Sequence, residues 1–418
     1  MRSSESEVES RKSEVQLLSI DGVTASDVVA PDDAQATAEV LAEAETRGHA
    51  VAPVGGGTAL SMGNPPERVD LVLSTGLLGG IIDYEPTDLV LSVGAGARFG
   101  DVQAVLGEHG QRLPLDPPGG ADATIGGLIA TGRWGPLRAS AGTLRDLLIG
   151  IAVAHPSGTV SRAGGMVVKN VSGYDMPRLY LGSLGTLGII VSANFKVLPR
   201  PRAESTVLAG FASSQDAFAA ADRLRQSMEP VAALEVALLD RRWIMATRIE
   251  GRDATVDAVA SRIAPVLPSD DMVRLDSGPS AEWWHTYVAQ QAAVPNDNAV
   301  LIRCGVRPKV ASGFVSGMVA ALSDVGISAQ YLAVSPGLGS VVARLDLGGN
   351  ESPERLAEAQ AVLLGLADTV TILAAPPDWK RGIDVWGRLP EGFDVMRSLR
   401  QQFDPQRTIN PGRFAGFL

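Results

Sequence analysis

The chemistry of this chain starts from a shortage of side chains. In PVGGGTAL, residues 53 to 60, Gly55, Gly56 and Gly57 stand together between an apolar run and Thr58. Glycine gives up backbone order and side-chain packing, so three in succession imply that something needs the bare main chain. Successive N–H groups in such a loop form a concave nest for an anion, and Thr58 adds a hydroxyl donor. A nucleotide P-loop is disfavoured because no lysine follows the glycines, and the dinucleotide pattern GxGxxG is missing. A plain glycine-rich turn at a strand end is the competing explanation for this stretch taken alone.

Two further stretches narrow the choice. PLDPPGGADATIGGLIATGRWGPLRASAG, residues 114 to 142, puts 7 glycines in 29 residues beside Thr124, Thr131 and Ser140. GSLGTLGII, residues 182 to 190, again leads into a strand. Three separated backbone-exposing loops exceed the needs of one phosphate group and suit a long flat ligand with a pyrophosphate.

The elements that must present these loops follow from periodicity. Pro31, Asp32 and Asp33 open a helix with Ala and Leu at helical spacing, which stops at Gly48 before an apolar strand reaching Val54. VDLVLST and DLVLSVGAG read as strands and FGDVQAVLGEHG as a helix ending at Gly110. LLIGIAVAHPSGTVSRA reads as a hairpin and LGIIVSANFKVLP as a closing strand. Of 46 glycines, 27 fall between Gly55 and Gly188, which marks this third of the chain as the ligand-holding part. PRPRAE, from Pro199 to Glu204, reads as a hinge. Beyond it a β-α-β rhythm in TVLAGF, SQDAFAAADRLRQSM and AALEVALL returns in VLIRCGV, VASGFVSGMVAALSDVG and SVVARLDL, predicting a compact α/β sheet layer. EGFDVMRSLRQQF predicts a last helix, and DPQRTINPGRF a fixed tail whose prolines forbid helical extension.

Composition limits the function classes. With 418 residues, 45% hydrophobic and 20% charged, the chain suits two or three globular domains. Its 36 basic and 47 acidic residues give a net charge of -11, which argues against a nucleic-acid surface or a polybasic membrane anchor. No apolar stretch approaches the roughly 20 residues that span a bilayer, and MRSSESEVESRKSEV lacks a signal core. The expectation is a cytoplasmic protein without a transmembrane segment, with a disordered tail over residues 1–22. Cys304 is the one cysteine, so the chain alone forms no disulfide and holds no iron–sulfur cluster. His49, His109, His155 and His285 are scattered without HxH or HExxH spacing, and no metal site is expected.

The three loops, in this order and spacing, resemble the FAD-binding domain of the vanillyl-alcohol oxidase and p-cresol methylhydroxylase family. The whole chain resembles the FAD-binding E subunits of bacterial glycolate oxidase (glycolate dehydrogenase) complexes. The likeness rests on DYEPTDLVLSVGAG, LGEHGQRLPLDPP, ATIGGLIATG, VVKNVSGYDMPRLYLGSLGTLGII, VLPRPRA and RQQFDPQRTINPGR. It implies an α+β fold: a p-cresol-methylhydroxylase-type FAD-binding domain of two α+β subdomains over 23–200, a ferredoxin-like α/β cap over 201–387, and a C-terminal helix and tail, 388–418, returning to the first domain. By position, Pro53, Val54, Gly55, Gly56, Gly57 and Thr58 would cradle the pyrophosphate. Pro117, Thr124, Ile125, Gly126, Gly127, Thr131, Gly135 and Gly142 would line the rest of the dinucleotide and one side of the ring. Gly188, Ile189 and Ile190 would offer main-chain groups to the pyrimidine or adenine end.

Some members of that family bond FAD through His, Cys or Tyr. None occurs over residues 50–70 or 110–142, so non-covalent FAD is expected. Related D-2-hydroxy acid dehydrogenases resemble one another in a late His-x-His cluster that handles the metal and the acid. This chain has no histidine after His285, an absence the E subunits share. The resemblance therefore implies a subunit that takes part in oxidising glycolate, or a similar 2-hydroxy acid such as D-lactate, beside an FAD-containing D-type catalytic subunit and an iron–sulfur subunit. Those partners would hold it at the periphery of the inner membrane. No catalytic residue is assigned. A self-sufficient FAD oxidase and a scaffold with a vestigial flavin fold are the rival readings.

Individual residues carry two readings each. Lys169 suits either a charge near flavin or a structural ion pair, and Tyr174 a structural place at the subdomain junction. Arg133 and Arg138 suit either an anion or solvent. In AEWWHTY the spacing predicts that Trp283 and Tyr287 share a buried helix face, with His285 a candidate base. Asp404, Asn410 and Arg413 are expected to pin the chain end.

Overall fold

The computed structural model describes residues 19–167, 174–269, 271–292, 300–349 and 352–418. Within them the chain is α+β, with a two-part first domain and an eight-stranded cap.

The first part is a parallel sheet of β1 (Asp27–Val29), β2 (Val51–Val54) and β3 (Leu71–Ser74), in the order β1-β3-β2. Helix α1 (Ala34–Arg47) connects β1 to β2; the Asp33 carboxylate accepts the Ala36 N–H at its start, and Gly48 ends it in a left-handed conformation. Its buried residues Thr37, Ala38, Leu41 and Ala44 recur at helical spacing. Since β2 stops at Val54, the glycine run leaves the sheet at a strand's carboxyl end, the side on which open parallel sheets bind ligands.

The second part is antiparallel. Strands β4 (Ile81–Glu85), β5 (Val90–Gly94), β6 (Leu148–Ala154), β7 (Val160–Gly164) and β8 (Ile189–Lys196) pair in the order β7-β6-β8-β5-β4. Helices α2 (Phe99–Glu108) and α3 (Ile125–Thr131) cover one face, where Val102, Leu106, Leu128 and Ile129 meet Leu91, Val93, Val153 and Phe195. The other face, with Ala152, Ala154, Ile189 and Val191, packs on Ala38 and Leu41 of α1. The two parts thus share β8 between their cores, and the third glycine loop enters that strand directly.

The cap repeats one motif twice. Strand β9 (Ala203–Phe211), α4 (Ser214–Ser227), β10 (Ala233–Leu239), β11 (Arg242–Gly251), α5 (Asp253–Ile263) and β12 (Met272–Asp276) form a split β-α-β unit. After α6 (Ser277–Ala289), the same succession recurs in β13 (Val300–Gly305), α7 (Ala311–Asp324), β14 (Ser328–Ser335), β15 (Ser340–Asp346), α8 (Pro353–Leu364) and β16 (Thr369–Ala374). The sheet order β12-β9-β11-β10-β14-β15-β13-β16 joins the units through antiparallel β10 and β14. The anticipated β-α-β rhythm is therefore real, but every described pairing in this sheet is antiparallel.

Three features differ from sequence expectation. Of the anticipated disordered tail 1–22, residues 19–22 are folded: Ile20 and Val23 pair in a short ladder, and Ile20 is buried. The segment Pro199 to Glu204 is no loose hinge, since Leu198 and Pro199 pair with Arg112 and Gln111, and Arg112 makes a two-pronged ion pair with Glu250 of the cap. On α6, Trp284 and Tyr287 are the buried aromatics, while Trp283 is only partly buried and stacks on Tyr287. His285 is exposed. Lys169 and most of KNVSGYD lie outside the described residues, and Tyr174 is 92% exposed. Among the described residues no helix is long and apolar enough to cross a membrane.

The tail after α9 (Phe393–Phe403) behaves as expected. Buried Asp404 accepts the N–H groups of Thr408 and Ile409, each at 2.8 Å. Arg400 donates to the carbonyls of Thr186 and Ile409, and Ile409 bridges Val51 of β2. A second anchor is the fully buried Lys380, whose ammonium bonds Asp21 and the carbonyls of Ser61 and Gly63. Replacing Lys380 by Met removes the nearer cation of the buried Asp21 carboxylate and leaves Arg413 at 3.8 Å, so urea unfolding should show a loss of about 3 kcal/mol. Replacing Asp21 as well, by Leu, should restore part of it; additive losses in the double variant would deny the pairing.

Candidate functional site

The glycines of the first loop answer first to a neighbouring loop. A Cβ on Gly55 would overlap the side chain of Thr124, and one on Gly56 the carbonyl of Asp122, both in the second loop. Gly57 adopts φ 73°, which turns the chain back. The close approach leaves a consequence on the open side. Among the described residues, no hydrogen bond satisfies the amide N–H of Gly55, Gly56, Gly57 or Thr58. Four successive free donors form an anion nest. The start of α3 is not a second one, because the N–H groups of Ile125 and Gly126 already bond the carbonyls of Ala97 and Ala95.

The three loops enclose one open cleft. Pro53, Val54, Gly55, Gly56, Gly57 and Thr58 line it from the first loop. Pro117, Thr124, Gly126, Gly127 and Thr131 line it from the second, and Gly188, Ile189 and Ile190 from the third. Three anticipated residues stand elsewhere. Ile125 is buried in the core under α3, Gly135 packs against Asp116 away from the cleft, and Gly142 caps the short helix Arg138–Ala141. Sequence reasoning missed Ile20, Leu60, Thr75 and Leu128, which add apolar wall and one hydroxyl. It also missed that Asn410 and Arg413 reach the lining while tethering it: Asn410 donates to the Leu184 carbonyl at 2.7 Å, and Arg413 to those of Leu60 and Met62.

The residues fit FAD. The nest and the Thr58 hydroxyl suit a pyrophosphate, and Leu60, Leu128, Ile189 and Ile190 offer apolar walls to flat rings. Among the described residues no His, Cys or Tyr lines the cleft.

A second, smaller cavity lies between the second loop and the face of the cap sheet that also carries α6; Arg133 lines both. From the cap come Glu235 of β10, Arg303 of β13, Ser335 of β14 and Ser340 of β15. The Glu235 carboxylate accepts from Tyr287 Oη at 2.9 Å and from Ser335 Oγ at 2.5 Å, and burial pushes its pKa up to about 7. Asp116, within the second loop, is likewise raised to about 7 by burial, although it accepts the Leu137 N–H. Arg133 donates to the Gln291 carbonyl at 2.6 Å, while Arg138 lies over the Trp134 ring at 4.1 Å. Neither is a solvated loop arginine. The sequence held a signal for the cap residues: AALEVALL and VLIRCGV each carry one charge inside an otherwise apolar strand.

Against known families, residues 25–164 match the FAD binding domain. The chain is 39% identical over 181 residues to the glycolate oxidase subunit GlcE of Escherichia coli strain K12, covering 43% of this chain and 50% of that one. It spans, then, about half the length of that relative. It is 25% identical to the glycolate oxidase subunit GlcD of Bacillus subtilis strain 168, over 92% of this chain and 88% of that protein. D-lactate dehydrogenase of Archaeoglobus fulgidus is also 25% identical, over 92% and 90%. Among solved structures, alkyldihydroxyacetonephosphate synthase superposes with a TM-score of 0.67 at 18% identity, covering 92% of this chain and 75% of that one, a likeness of fold alone. The chain carries an FAD-binding domain on an α+β scaffold, and FAD is its cofactor.

Two predictions follow from the geometry. Gly56→Ala pushes the first loop off Asp122 and should cost about 1–3 kcal/mol as overpacking. Flavin retained per folded chain should fall by about tenfold or more; retention equal to wild type would deny the loop contact. Glu235 and Asp116 have folded pKa values above their ordinary 4.5 and 3.8, so their protonated forms favour the native state. That contribution is complete below about pH 4 and is lost as pH rises through about 7. The melting temperature of Glu235→Gln relative to wild type should therefore climb between about pH 4 and 7 and level off above that. A constant difference would count against the raised value.

Proposed function

We propose that the chain is the FAD-carrying subunit of a glycolate oxidase or dehydrogenase complex. In this reading it takes part in oxidising glycolate, or a similar 2-hydroxy acid such as D-lactate, to the 2-oxo acid, and electrons pass on to an iron–sulfur subunit. The observation that carries the reading is one cleft in which four amides, unpaired among the described residues, stand beside apolar walls, in a chain resembling a subunit named GlcE. Bound FAD supplies the two-electron acceptor. The chain's residues do the rest: the first loop holds the pyrophosphate, Ile189 and Ile190 exclude water, and the tail keeps the loops in register. Non-covalent attachment is supported by a lining without His, Cys or Tyr among the described residues. A partner for the clusters is supported by Cys304, which is fully buried with its thiol pushed up to about 12, so no thiolate is offered.

One observation favours the self-sufficient reading instead: the polar cavity beside the cleft, with Glu235 and Arg303. Anaerobic titration separates the two. Acid precipitation of the yellow protein should release all its colour, and the isolated chain should keep its visible spectrum when glycolate or D-lactate is added. Bleaching should appear once a D-type catalytic partner is present. Rapid bleaching of the isolated chain would replace the subunit reading by self-sufficient oxidation, and colour retained in the acid pellet would overturn non-covalent binding.

A further inference from the structure

The molecule pairs its buried arginines with care, and this makes the exceptions informative. Arg112 meets Glu250, Arg248 meets Glu204 and Arg400 meets Asp404, each within ion-pair distance. In the second cavity the pattern stops. Arg303 points from the face of the cap sheet that also carries α6, and among the described residues it has neither a hydrogen bond nor an ion pair. Arg133, across the cavity, has only the Gln291 carbonyl. No ion pair among the described residues involves Arg138, which lies beside them over Trp134. No ion pair among the described residues joins Glu235 to any of them; its two oxygens accept from the neutral hydroxyls of Tyr287 and Ser335.

We propose that this chain itself binds a small carboxylate anion in the cavity between the second loop and the cap sheet, with Arg303 and Arg133 as its charge partners. The inference rests on the reading of a flavin subunit serving 2-hydroxy acid oxidation and assigns the acid's carboxylate to a place in it. A guanidinium fork matches a carboxylate with two parallel N–H donors, and two forks facing one cavity supply more positive charge than water alone stabilises well. Burial lowers the Arg133 pKa to about 10, and the charge of Arg303 lowers it further in the same direction, the mutual repulsion that an anion relieves. Ser340 provides a neutral hydroxyl for the acid's hydroxyl or oxo oxygen. Because Arg133 lines both spaces, an acid held there lies beside the flavin cleft.

The test uses the full chain loaded with FAD. Glycolate, oxalate, glycolamide and sulfate are titrated separately by calorimetry and by thermal shift, with the visible flavin spectrum recorded in parallel. Glycolate and oxalate should bind, and glycolamide, which lacks the charge, should bind at least about tenfold more weakly. Arg303→Met should weaken oxalate by a similar factor while the flavin content is kept, and Arg303→Lys should fall between. Equal binding of glycolate and glycolamide in the wild-type chain overturns the proposal without any variant. So does sulfate binding as tightly as oxalate, which would mark an unselective cationic patch. A chain that takes up FAD yet binds no carboxylate refutes this inference and leaves the flavin reading standing. A chain that takes up no FAD refutes that reading, and the same titrations on it still decide whether the acid binds.

Discussion

The structure depends on one contact without side chains, where the first glycine loop lies against the second. Gly55 and Gly56 leave no atom between the loop and Thr124 or Asp122, so the two main chains fix each other's height above their sheets. Any Cβ there would lift the first loop and with it the four free amides. An amide left without a partner carries a desolvation cost whenever water is excluded from it. Gly55, Gly56 and Gly57 are exposed in the open cleft, so an anion there takes the place of water on these amides, and cofactor binding contributes to stability as well as to function.

Holding such a loop requires support from behind, and the chain's other end provides it. Arg413 gathers the carbonyls of Leu60 and Met62 just after the first loop, Asn410 reaches Leu184 in the third, and Asp404 folds the intervening turn onto itself. Residues more than 200 positions apart in sequence thus form one clamp. The tail is loop in conformation but core in burial, with Asp404 and Ile409 fully inaccessible. The Asp404 carboxylate and the Asn410 amide find main-chain partners within the protein, as a buried irregular segment demands.

How much of this was legible in the sequence varied with the range of the interaction. Helix α1 was plain, because Asp33, the apolar spacing and Gly48 all act within a few residues. The cleft loops were plain for the same reason, since glycine enrichment is local. Gly135 and Gly142 look identical to the cleft glycines in sequence, yet one accommodates Asp116 and the other ends a short helix. Composition reports that a bare backbone is needed and is silent about which neighbour needs it. The face of α6 that is buried was misjudged by one residue, because Trp283 and Trp284 are equivalent in hydrophobicity and only the sheet beneath selects Trp284. The second cavity was the least legible part, because it exists only when β10, β13 and β14 lie side by side.

Strand register decides the chemistry of that cavity. On β13, Leu301 and Arg303 face the first domain, whereas Val300, Ile302 and Cys304 face the helices. A slip of one residue would bury the guanidinium under α7 and present the thiol to the cavity. On β14 the alternation is reset by a bulge between Ala329 and Tyr331. Ala329 packs toward the helices, and after the extra residue Tyr331 and Ala333 turn to the other face, where Ser335 meets Glu235. Without the bulge, Tyr331 and Ser335 would face the helical layer and Glu235 would lose one of its two donors. One inserted residue on a strand thus keeps a carboxylate buried and satisfied at the edge of the space that Arg303 enters. The apolar core and the polar cavity are two sides of the same sheet, set by the same period of two.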